Sequence, residues 1–262
     1  EAGLIGDFEN GWEIAQQLEK ERPNDDRAAF NRGWYLLRQG KLQEGIKLLD
    51  RGRNEDVFGN AHIGTPRPIW DGSSVGYVLL HLEGSLGDQI HGVRWAKYIA
   101  ARGNKVIVSC SAELMPLFAA VDGVSSVVQR EAAIGAYHDA WIPGMSAVIP
   151  LGYEYIDLDG SPYIPCSENN VAHNRKLIGL YWQKSESGHE DEFPPEMLFD
   201  SLRGIDAEFV SLQKNDEGKC PDWVKKASLD SWADAAKAIA SCSLVISPDS
   251  AVAHLAAAMG VK

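Results

Sequence analysis

Twice along the chain a short apolar run breaks on a turn of glycine, serine or aspartate and restarts as a helix, at residues 77–102 and again at residues 243–260. A strand followed directly by a helix must return to the same sheet through a crossover, so repeated units of this kind build a parallel sheet covered by helices. The rhythm continues between the two. Short apolar runs at 77–82, 105–109, 126–129 and 140–142 alternate with helical stretches at 88–102 and 112–121. After a loop rich in Pro, Asn and Asp at 157–174 it restarts, with strands at 177–182, 208–212 and 244–247 and helices at 196–203, 232–241 and the chain end. The expectation is an α/β protein of two lobes facing across a cleft.

The first sixty residues have a different texture. Gly6-Asp7-Phe8-Glu9-Asn10-Gly11-Trp12 aligns with Gly40-Lys41-Leu42-Gln43-Glu44-Gly45-Ile46 at an offset of 34 residues, Gly6 to Gly40, which is the tetratricopeptide period. Pro23-Asn24-Asp25 ends one unit. Phe30, Trp34 and Leu37 then recur at helical spacing over 26–38, and a partner helix follows at 42–51. The segment resembles one and a half tetratricopeptide repeats, and a plain helical hairpin is the alternative. Fewer than three repeats rarely stand alone, so either more chain precedes them or the helices dock on the next domain. The expected division is a helical segment at 1–54, a packed connector at 55–76 rich in Gly and Pro, a first lobe at 77–165 and a second lobe at 166–262.

A net charge of −12 argues against sequence-independent nucleic-acid binding, which needs Lys and Arg against phosphates. The longest apolar run, near residues 114–121, is far short of the roughly 20 residues of a membrane helix, and no secretory signal opens the chain, so the expected location is cytoplasmic. Cys110, Cys166, Cys220 and Cys242 form no C-x-x-C pair, which predicts neither a zinc site nor a disulfide framework. The run His189-Glu190-Asp191-Glu192 lacks a second histidine at ligand spacing and reads as a solvated loop, so no metal site is expected.

The turn Glu83-Gly84-Ser85-Leu86-Gly87-Asp88 follows the first strand of the first lobe, the place where open α/β sheets bind ligands. It is not the dinucleotide fingerprint G-x-G-x-x-G, no P-loop occurs, and Gly72-Ser73-Ser74-Val75-Gly76 precedes a strand where a hydrolase nucleophile must follow one. Gly84 and Gly87 let a ligand approach the backbone. Asp88 reads either as a helix N-cap or as a general base, and Glu83 and His91 are near enough to share that work. In the second lobe, Asp249, Ser250 and Ala251 open a helix with His254 one turn on. Backbone N–H groups, a hydroxyl and an imidazole then converge where a diphosphate fits. Lys184 and Lys214, each just past an expected strand, are candidate countercharges.

On these residues, together with Arg67-Pro68-Ile69-Trp70-Asp71-Gly72 and Phe209-Val210-Ser211-Leu212-Gln213-Lys214, the chain resembles a bacterial TPR-containing protein whose transferase domain is similar to the ADP-heptose:lipopolysaccharide heptosyltransferases of glycosyltransferase family 9. The resemblance implies a GT-B fold, two Rossmann-like lobes with the nucleotide-sugar donor on the second and the acceptor on the first. It implies inverting, metal-independent transfer with Asp88 as base, donor contacts at Asp249, Ser250, Ala251 and His254, and no cofactor beyond the nucleotide-diphosphate sugar as co-substrate. Gln213 enters through the same resemblance. The family continues past the position of Lys262, so the second lobe is expected to be incomplete. Acceptor and any protein partner of the helical segment stay open. Two other readings also stand: a TPR-anchored binding protein with a degenerate transferase domain, favoured by the acidic 189–192 run, and a GT-B enzyme such as a nucleotide-sugar epimerase.

Overall fold

The computed structural model describes residues 7–59, 62–165, 176–182, 195–215 and 218–262. Three helices open it: α1 (Phe8–Glu21), α2 (Asp26–Arg38) and α3 (Leu42–Asp50). Asp7 and Asp25 cap the first two by accepting from the N–H groups of Asn10 and Ala28. Helices α2 and α3 cross tightly because Gly33 has no side chain, and a Cβ there would meet the Gly45 carbonyl oxygen at 2.7 Å. Helix α3 has no side-chain cap of its own. Its first N–H groups, on Leu42 and Gln43, donate instead to Glu154 Oε2 at 3.0 and 3.3 Å, and the Gln43 amide donates to the carbonyls of Val148 and Tyr153. The helical segment thus docks on the next domain.

The connector is packed. Trp70 is buried, its backbone N–H donates to the Trp141 carbonyl at 2.7 Å, and its indole donates to the Ser73 carbonyl. The first lobe runs β1 (Tyr77–His81), α4 (Leu86–Gly92), α5 (Trp95–Ala101), β2 (Lys105–Cys110), α6 (Met115–Phe118), β3 (Val124–Gln129), β4 (Ala140–Pro143) and α7 (Val148–Leu151). Its sheet is parallel throughout, in the order β3-β2-β1-β4, with Tyr77 opposite Lys105 and Val78 opposite Ala140. The single helix expected over 88–102 is two short ones. Gly92 sits close against the Leu82 side chain, and the chain tightens at Val93, whose carbonyl accepts from the Ala96 N–H at 3.0 Å.

The second lobe comprises β5 (Leu177–Leu180), α8 (Pro195–Leu202), β6 (Glu208–Ser211), β7 (Lys225–Lys226), α9 (Trp232–Ala240), β8 (Leu244–Ile246) and α10 (Ala251–Ala258). Its sheet, in the order β7-β6-β5-β8, is again parallel. One apolar cluster runs from Leu42 through Leu80, Ile90 and Phe118 to Ile239 and Leu255, so the helical segment and both lobes share a core. A second cluster of Leu180, Trp182, Phe199, Phe209 and Val224 fills the other face of the second sheet. No helix among the described residues is long and apolar enough to cross a membrane.

Candidate functional site

The two turns singled out in the sequence meet. Strand β1 delivers Glu83 and Gly84 to the start of α4, and Gly84 takes φ +71°, a conformation that glycine adopts without strain. Ser85, not Asp88, is the N-cap. Its hydroxyl and backbone N–H donate to Asp88 Oδ2 at 2.7 and 2.8 Å, and it accepts weakly from the Asp88 N–H, a capping box in which Asp88 is the third helical residue. Both capping bonds use one oxygen. No described residue bonds Oδ1, and the Asp88 side chain is exposed.

Glu83 does not open into the cleft. It is buried, and its two oxygens are taken by the two terminal nitrogens of Arg53, Nη2 to Oε2 at 2.7 Å. Burial works against the Arg53 charge, but the pairing with Glu83 and Asp50 outweighs it and holds the guanidinium pKa above its ordinary value. Arg130 steadies the next residue by donating to the Gly84 carbonyl at 2.8 Å.

In the second lobe, Ser250 caps α10 by accepting from the Ala253 N–H at 3.2 Å, and its hydroxyl bonds that of Ser247 at 2.7 Å. Asp249 lies one residue outside the helix, with Oδ1 3.4 Å from His254 Nε2. The N–H groups of Ala251 and Val252 have no acceptor within the helix and point outward from its positive end. Gly87 of the first lobe packs on this helix. A Cβ at Gly87 would lie 2.8 Å from the His254 ring and 3.6 Å from the Ala251 backbone, so the missing side chain is what lets the two helix starts abut.

His91 completes the junction. Its ring is 6.3 Å from that of His254, its Nε2 is 3.3 Å from an Arg94 nitrogen, and Arg94 lies 4.8 Å over the ring of Tyr163. Partial loss of water around a ring that keeps an exposed face, then the charge of Arg94 and the proximity of His254, push the His91 pKa down to about 4 against a weaker pull from Asp88. The imidazole is therefore neutral at pH 7. Since its ordinary value is 6.5 and its folded value is about 4, the unfolded chain takes up this proton first as pH falls. Folding stability is thus expected to drop between those two pH values, and a His91→Gln variant followed by thermal melts should lose less over the same interval.

Of the other expected residues, Gln213 Oε1 accepts from the Trp182 backbone N–H at 3.4 Å, and Lys214 is exposed just past β6. Lys184 and the 189–192 run lie outside the described residues. Ser85, Arg94 and Arg130 were not anticipated as parts of this junction. The Ser-x-x-Asp spacing from Ser85 to Asp88 was a legible capping signal, and Arg94 stands three residues after His91 on the same side of the chain. The bond from Arg130 arrives from beyond β3 and left no local sign.

Neither family models nor curated protein sequences match the chain. Solved structures do. The chain is similar to E. coli heptosyltransferase WaaC with ADP-2-deoxy-2-fluoro heptose, at a TM-score of 0.52 and 13% identity, over 70% of this chain and 85% of that one. The same enzyme with ADP matches at a TM-score of 0.51 and 14% identity, over 70% of this chain and 84% of that one. What the chain shares with them at this identity is the fold, which here comprises two parallel four-stranded sheets flanked by helices.

Proposed function

We propose that the protein is a cytoplasmic glycosyltransferase that moves a sugar from a nucleoside-diphosphate sugar to a hydroxyl acceptor, with inversion and without a metal ion. The observation that carries this is the abutment of two helix starts, with Gly87 and Asp88 from one lobe and Ser250, Ala251 and His254 from the other. The likeness of fold to a transferase captured with ADP and an ADP-sugar agrees with it.

In this reading the acceptor hydroxyl gives its proton to Asp88 Oδ1, the oxygen that capping leaves unbonded. The hydroxyl oxygen attacks the anomeric carbon from the face opposite the diphosphate, and the anomeric C–O bond breaks with its electron pair leaving on the diphosphate oxygen. Charge gathers there. To the N–H groups of Ala251 and Val252, the Ser250 hydroxyl and the His254 imidazole this reading gives the stabilisation of that charge, and it keeps Lys184, Lys214 and Gln213 as further donor-binding residues. Glu83 serves by holding the turn. A binding protein without turnover is the second reading, and the observation in its favour is that Asp88 already has a structural task in the capping box.

A thermal-shift screen of nucleoside diphosphates and nucleotide sugars tests the donor half. A ligand at about 100 times its Kd adds about 2.7 kcal/mol to the folded state, enough for a shift of several degrees. No shift with any nucleotide would overturn the proposal, and a shift without sugar transfer would leave the binding protein.

A further inference from the structure

Arg53 belongs to the helical segment, 30 residues from Glu83, yet its two terminal nitrogens reach Glu83 and Ser146 of the first lobe. It follows α3 in a short 3-10 turn, Arg51–Glu55, and its side chain is 7% exposed against 1% for Glu83. Two parallel bonds join the guanidinium to the carboxylate. A third runs from Nη2 to the Ser146 hydroxyl at 2.8 Å, and a fourth from Nε to Asp50 at 2.7 Å, while Ser146 donates to Asp50 and closes the ring. Phe58 covers the guanidinium at 5.1 Å, and a side chain at Gly59 would collide with the pair.

This network grips the residue that immediately precedes the Gly84–Asp88 turn. We propose that Arg53 is a positioning residue for that turn, acting through Glu83, so that the helical segment sets the geometry of the acceptor side of the cleft. The inference rests on the transferase reading for its kinetic consequence but not for its structural one. A lysine cannot replace Arg53, because the task needs a planar fork with several fixed donors.

The test uses the full chain and three variants: Arg53→Lys, Glu83→Gln, and the double variant Arg53→Met with Glu83→Leu. Replacing a buried pair by apolar groups of similar volume is often neutral for stability, whereas a single charge left behind is strongly destabilising, so the double variant is the one expected to fold as the parent does. Amide hydrogen exchange across residues 83–92 is expected to quicken in all three, while exchange in α10 stays as in the parent. With the donor found by thermal shift, kcat is expected to fall by about 100-fold and the donor KM to move less than about twofold, since a misplacement near 1 Å costs about that much in rate. A double variant with parent-like exchange at 84–88 and parent-like kcat overturns the proposal. If the parent transfers no sugar, the transferase reading fails by itself, and the exchange measurement still decides the role of Arg53.

Discussion

Asp88→Asn is expected to lower sugar transfer by about 100- to 10,000-fold, the range that a positioned general base contributes. The capping box supplies the competing explanation, and magnitudes separate the two. Losing a cap costs about 0.5–2 kcal/mol, against a total stability of about 5–15 kcal/mol. Even the worst combination leaves about 3 kcal/mol and under about 1% of the chain unfolded, which cannot depress a rate 100-fold. Asparagine also keeps an oxygen for the Ser85 hydroxyl and N–H, so the helix start survives. Turnover and a urea melt on the same preparation check the point. Parent-like turnover in the variant would remove Asp88 from the chemistry and leave it as a helix cap.

His254→Ala is expected to weaken nucleoside-diphosphate binding by about 10- to 150-fold, the equivalent of the 1.5–3 kcal/mol that a hydrogen bond to a charged group carries. The ring sits one turn into α10, 3.4 Å from Asp249 and directly against Gly87. Its removal also opens space between the lobes, so calorimetric titration of the ligand identified in the shift screen should be paired with a melt of the free protein. A change in affinity of less than about twofold, with the melt unaltered, would place the diphosphate elsewhere.

Much of the fold could be read from the residues because parallel strands are buried on both faces and spell themselves as apolar runs. Val78-Leu79-Leu80 and Val106-Ile107-Val108 are wholly inside, and both were legible as strands. The break between α4 and α5 was not, since neither Val93 nor Arg94, where the chain turns, is a helix breaker. Ser247 to His254 could be read as a helix start, yet which residue capped it could not: Asp249 and Ser250 are both good caps, and the geometry chose the serine. At α4 the N-cap reading of Asp88 gives way to Ser85 in the same manner, with Asp88 at the third helical position of the capping box. Glu83 looked reactive because a carboxylate beside a glycine turn is a chemist's first suspicion. Its partner Arg53 lies in a segment whose docking no local pattern announces.

The trans-acting cap on α3 changes where a natural module begins. Glu154 closes a helix more than a hundred residues upstream, with Leu42 and Gln43 as its donors. A boundary drawn at the visible change of texture near residue 55 would strand that carboxylate, and the buried Glu83 with it. For domain shuffling, any cut therefore has to keep the helices together with the first lobe. A graft that moves the helices alone onto another scaffold has to bring its own acceptor for the start of α3, or accept a frayed first turn.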